Sequence, residues 1–132
     1  MSVSILIISH EEIGSALLNA VKQAFGSELP LSVATVELEA SADPEVLVPK
    51  LKKVVQALNQ GNGVLILTDL FGSTPSNVAR SVQDCKDVRI VTGLNLPMLI
   101  RVMNYPQLGL PELAEKARTG GQCGIIECEQ IA

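Results

Sequence analysis

Two nearly unbroken apolar runs, Val3-Ser4-Ile5-Leu6-Ile7-Ile8 and Val64-Leu65-Ile66-Leu67, limit what this chain can become more than any other feature. They are far shorter than the roughly 20 residues that a membrane-spanning helix requires. They also lack the alternation of a strand with one wet face. Such runs suit central strands of a parallel sheet, covered by helices on both sides. Between them lie amphipathic stretches, and this alternation is the pattern of βα units.

The pattern predicts strands over 3–9, 33–38, 63–69, 88–93 and 123–128. Helices are expected at about 11–25, 44–59, 76–84 and 110–119, with a helical turn near 97–104. In the first helix Ile13, Leu17, Ala20, Val21 and Ala24 share a face, and Ser9 with Glu12 has the form of a capping box. The second places Leu47, Leu51, Val54, Val55 and Leu58 on one face, while Pro49 predicts a kink or a later start. Pro75 suits a first helical turn, where its missing N–H is unneeded. The expectation is a single domain over 1–132, α/β in class, with no internal repeat or linker.

Composition removes several functions. A hydrophobic content of 47% excludes a disordered chain. The net charge of −4 and scattered basic residues argue against nucleic acid, whose phosphates need clustered Lys and Arg. Aromatic residues are only 2%, too few to stack bases or sugars. An N-terminus without a basic segment or long apolar stretch predicts a cytoplasmic protein, and three cysteines fit that reducing compartment. Cys85, Cys123 and Cys128 are read as buried structural residues. No close ligand pair accompanies the single histidine, so no metal is expected, and nothing calls for a cofactor.

Ligands of parallel α/β sheets bind outside the carboxyl ends of the strands. Strand one ends in Ser9-His10-Glu11-Glu12, strand three in Thr68-Asp69-Leu70-Phe71-Gly72-Ser73-Thr74-Pro75, and strand four in Thr92-Gly93-Leu94-Asn95-Leu96-Pro97. If strands one and three are neighbours, as in the flavodoxin-like order 2-1-3-4-5, roughly 4.8 Å separates them and His10 meets Asp69. A carboxylate that takes one imidazole N–H leaves the other nitrogen free as a nucleophile. Gly72, Ser73 and Thr74 lead into a helix, and their donors with the positive helix end form an anion site. Each residue alone has a simpler reading: His10 as a capping residue, Asp69 as a turn cap, the glycine segment as an ordinary turn. Their convergence on one sheet edge carries the functional reading. The segment from Leu94 to Met103 reads mostly as core, with Asn95, Pro97 and Met98 bordering the site as a lid over the strand ends or as a partner-facing surface.

These residues resemble the mannose-type enzyme IIA domain of the bacterial phosphoenolpyruvate-dependent sugar phosphotransferase system. The resemblance runs nearly end to end and rests on Ile7-Ile8-Ser9-His10, on Thr68 to Asn77, and on Val91 to Leu99. It implies a flavodoxin-like five-stranded sheet and a homodimer whose last, antiparallel strand is exchanged between subunits. It also implies a phosphocarrier. His10 would take a phosphoryl group from phospho-HPr and pass it to a histidine of a IIB component, feeding sugar uptake, with the membrane reached only through the transport complex. Asp69 matches the aspartate that bonds the active histidine, and Thr74 the hydroxyl residue that helps hold the phosphoryl group.

Two departures stand out: Ser73 replaces a second glycine common in relatives, and the chain ends at Ala132 without a linker and IIB domain, so the acceptor is expected on another polypeptide. The alternative is a regulatory phosphoprotein whose His10 state controls partner binding without transport. A subunit serving a dihydroxyacetone kinase is disfavoured by the short chain. A receiver domain would need an acidic cluster after strand one and a late Lys, and a flavodoxin a Ser/Thr/Gly phosphate loop there. Both fail at the first loop.

Overall fold

The computed structural model describes residues 2–26 and 28–129. The central strand β1 (Ser4–His10) is flanked by β2 (Val33–Leu38) on one side and β3 (Val64–Thr68) on the other, with β4 (Val88–Val91) outermost. All pairs are parallel, in the order β2-β1-β3-β4. The chain leaves β1 for one side of the sheet and crosses back for β3. The carboxyl end of β1 is therefore the switch point where a ligand crevice opens.

Alternation along the two apolar runs divides the core. Ile5, Ile7, Leu65 and Leu67 face one layer, which is covered by α1 (Ile13–Phe25), α4 (Leu96–Met103) and α5 (Leu110–Cys123). Leu6, Ile8, Val64 and Ile66 face the other, under α2 (Pro44–Leu58) and α3 (Thr74–Arg80). All eight are fully buried. At about 2 kcal/mol each, this burial is the main force fixing the register that sets the strand ends level.

Several helix starts differ from the sequence reading. Ser9 and Glu12 do not form a capping box, because Ser9 lies inside β1. The Ser9 hydroxyl instead accepts the Gly14 N–H at 2.9 Å, meeting an orphan donor of α1 from the neighbouring strand. The buried face of α1 runs through Gly14, Leu18 and Val21, leaving Ile13 45% exposed. The second helix starts at Pro44, capped by Asp43, and continues through Pro49. Leu51 and Val55 are buried as the spacing predicted.

The strand expected over 123–128 is corrected. Small residues Gly120 and Gly121 let α5 pack closely on Arg101 and Met98, so the helix runs on to Cys123. Residues 125–129 have no regular structure, and a β-rich composition makes a strand only where a neighbour offers a ladder. The described sheet is four-stranded, not five-stranded. Cysteine burial is corrected too: Cys123 and Cys128, at and beyond the end of α5, are exposed, and Cys85 is only half-buried, packed against the layer under α2 and α3. Among the described residues no helix is long and apolar enough to cross a membrane.

Candidate functional site

His10 is the last residue of β1, and Asp69 is the first residue beyond β3. Parallel register places Ile8 beside Thr68, so the two chains emerge side by side at the carboxyl edge. Asp69 Oδ2 lies 2.8 Å from His10 Nδ1 and accepts the His10 backbone N–H at 3.0 Å. Two bonds to one oxygen fix both the ring and the main chain that carries it.

The Asp69 side chain is only 9% exposed, whereas that of His10 is 42% exposed. Burial pushes the Asp69 carboxyl up, but the His10 backbone N–H, the ring bond and the imidazole charge outweigh it. The carboxyl titrates below its ordinary value and is ionised at neutral pH. An ionised carboxylate can only accept, so the proton of the neutral imidazole sits on Nδ1. Nε2 keeps its lone pair on a ring open to an incoming group. Glu11, next in the chain, has a φ of 45°, uncommon for a residue other than glycine, and its N–H donates to the Leu38 carbonyl at 3.0 Å, which ties the turn after His10 to the end of β2.

The second part of the site is the turn between β3 and α3. Gly72 has a φ of 82°, a conformation open to glycine, and its N–H donates to the Ser76 hydroxyl at 2.8 Å. The Ser73 N–H and hydroxyl both donate to the Leu70 carbonyl, at 3.3 and 2.5 Å. The turn is thus closed on itself, and Thr74 at the start of α3 is its exposed hydroxyl. Ser76, fully buried, organises the turn and was not singled out from the sequence. Its signal was a serine four residues after a glycine at a helix start.

Asn95, Pro97 and Met98 lie at the same edge, since the Leu94 N–H donates to the Thr68 carbonyl at 2.9 Å. Their side chains serve packing. Asn95 caps α4 by accepting the Met98 N–H at 2.9 Å and donates to the Gly121 carbonyl at 3.1 Å, tying α4 to α5. Met98 is 2% exposed in the core and Pro97 stands against Gly124. No bond joins these three to His10 or Asp69. Among the described residues no group of His, Cys, Asp and Glu could hold a metal.

A parallel α/β sheet whose switch point carries an exposed imidazole held by a carboxylate defines a flavodoxin-like domain. The chain belongs to the EIIA-man family, whose model, described as the PTS system fructose IIA component, matches residues 4–117. The fructose-specific EIIA component of Bacillus subtilis (strain 168) is 26% identical over 130 residues, covering 97% of this chain and 88% of the relative. The mannose-specific EIIAB component of Escherichia coli (strain K12) is 28% identical over 104 residues, covering 78% of this chain. The match spans only 32% of that longer protein. Among solved structures, the mannose/sorbose-specific IIA subunit from Enterococcus faecalis aligns with a TM-score of 0.86 at 28% identity, covering 100% of this chain and 98% of the other. The chain is accordingly a IIA component of the sugar phosphotransferase system.

Proposed function

We propose that His10 is a phosphoryl carrier, loaded from phospho-HPr and unloaded to a histidine of a IIB component. The observation that carries this reading is the 2.8 Å contact between Asp69 and His10 Nδ1, which leaves Nε2 as the nucleophile on an exposed ring. In the step, the Nε2 lone pair forms the new N–P bond while the donor's N–P bond breaks and its electron pair stays on the donor imidazole. Asp69 stabilises the positive charge that develops on the His10 ring. Phosphoramidates on either side have similar energy, so positioning and charge stabilisation suffice. The Thr74 hydroxyl, with the N–H donors at the start of α3, faces the phosphoryl oxygens; Ser73 joins only by turning its hydroxyl away from Leu70. The domain works as a homodimer.

Incubation with phosphoenolpyruvate, enzyme I and HPr is expected to add one acid-labile phosphate per chain, and none to His10→Ala. Labelling that persists in His10→Ala would overturn the assignment.

A further inference from the structure

Four polar residues are fully buried among the described residues: Ser4, Ser9, Thr68 and Ser76. Three of them complete the backbone beside a helix end. The Ser4 hydroxyl donates to the Leu58 carbonyl at 2.7 Å, that of Ser9 accepts the Gly14 N–H at 2.9 Å, and that of Ser76 accepts the Gly72 N–H at 2.8 Å. The Thr68 hydroxyl, sealed from solvent, has no partner. Oδ1 of the next residue, Asp69, is sealed as well and takes no bond from any other residue.

Thr68 ends β3 and follows Val64 and Ile66 onto the layer under α2 and α3, by the alternation of a strand. Register sets it beside Ile8, two residues short of His10 on the neighbouring strand. A buried hydroxyl without a partner costs stability. Valine has nearly the same shape and would avoid that cost, so the strand itself does not need the oxygen. Two unpaired polar atoms on adjacent residues, one of which holds the reacting imidazole, point to function rather than folding.

We propose that Thr68 is a positioning residue for phosphoryl transfer, its hydroxyl donating to Asp69 Oδ1 while the His10 ring is charged. The proposal rests on the relay reading. In the resting site Asp69 Oδ2 already accepts the ring and main-chain bonds of His10, so Oδ1 is the atom left by which the carboxylate can be held. As Nε2 takes the phosphoryl group, positive charge spreads over the ring and its pull on the carboxylate grows. A turn of about 120° around χ1 of Thr68 exchanges its hydroxyl and methyl within nearly the same volume and re-aims the donor. The main chain stays fixed meanwhile, because the Thr68 carbonyl accepts the Leu94 N–H at 2.9 Å. No proton changes owner: the hydroxyl donates to the carboxylate and is released when the ring is discharged.

The test is single-turnover uptake from phospho-HPr by rapid quench, over a range of donor concentrations. Thr68→Val keeps the shape and removes the donor. It is expected to lower the rate at saturating donor about five- to tenfold and to leave the half-saturating concentration unchanged. Its urea midpoint should be no lower than that of wild type, because the lost hydroxyl has no partner in the resting fold. Thr68→Ser should recover most of the rate. Asp69→Asn removes the charge that Thr68 serves, so adding Thr68→Val to it should slow uptake no further. A Thr68→Val rate within about twofold of wild type overturns the role of Thr68 and leaves the relay standing. So does a lowered urea midpoint, a loss that Thr68→Ser fails to recover, or an undiminished effect in the Asp69→Asn background. Wild-type protein that takes no phosphate overturns the relay and this role together.

Discussion

At the scale of the residue, Asp69 does two things with one oxygen, holding the imidazole and the main chain beneath it. Asp69→Ala should leave a folded protein whose phosphoryl uptake is slowed about 10–100-fold, the usual loss when a carboxylate behind a histidine is removed. Rapid-quench labelling measures it, and an unchanged rate would make the aspartate a mere cap. Its depressed pKa also fixes a sign. A group titrating lower when folded stabilises the fold above its unfolded value, 3.8, and that contribution disappears as pH falls through the lower folded value. Urea unfolding should therefore show wild type more stable than Asp69→Asn at pH 6, with the gap closing as the pH is taken below 4. The pairing of His10 with Asp69 was legible in the sequence, because strand ends in a parallel sheet are level and both residues sit at ends. The inward bonding of Ser73 and Gly72 was not legible. It depends on Ser76 and the Leu70 carbonyl, which only the folded turn brings within reach.

At the scale of the element, the start of α1 decides how rigidly His10 is presented. Gly14 packs so tightly that an added Cβ would stand 2.7 Å from Ile7 Cγ2 and 2.9 Å from Ser9 Oγ. Gly14→Ala should cost about 1–3 kcal/mol by pushing α1 from β1 and breaking the Ser9 bond. Denaturant titration checks this, and a variant as stable as wild type would show that the helix can slide without penalty. The sequence located this helix but mistook its N-terminal support, since Ser-x-x-Glu spacing is identical whether the serine caps a helix or ends a strand. The central strands were readable for a simpler reason: a run apolar on both faces fits few environments. The segment over 123–128 was not legible in the same way: its adjacent isoleucines suit a strand, but among the described residues no neighbouring strand offers them a ladder.

At the scale of the whole molecule, the four-stranded sheet leaves the outer edge of β4 without a described neighbour. A cavity of about 470 Å³ runs along it, bordered by Ile90, Val91, Asn95, Met98 and Ile125. Beside it, Ile125 and Ile126 are 79% and 74% exposed. Unpaired strand edges and exposed isoleucines are each unfavourable in water, and one act of pairing between subunits would satisfy both. The exposed apolar residues at the His10 edge, Ile13, Val46, Leu70 and Phe71, lie on helix starts and a turn rather than on an open strand edge, and they sit among carboxylates that would repel a second copy. In the proposed dimer, self-association through the β4 edge would leave the His10 edge open. Light scattering should give a mass twice the 14.0 kDa of one chain, and Ile125→Asp/Ile126→Asp should return it to that of one chain while His10 still takes phosphate from phosphoramidate. A wild-type mass of a single chain at micromolar concentration would remove the dimer from this account and leave the β4 edge to some other strand.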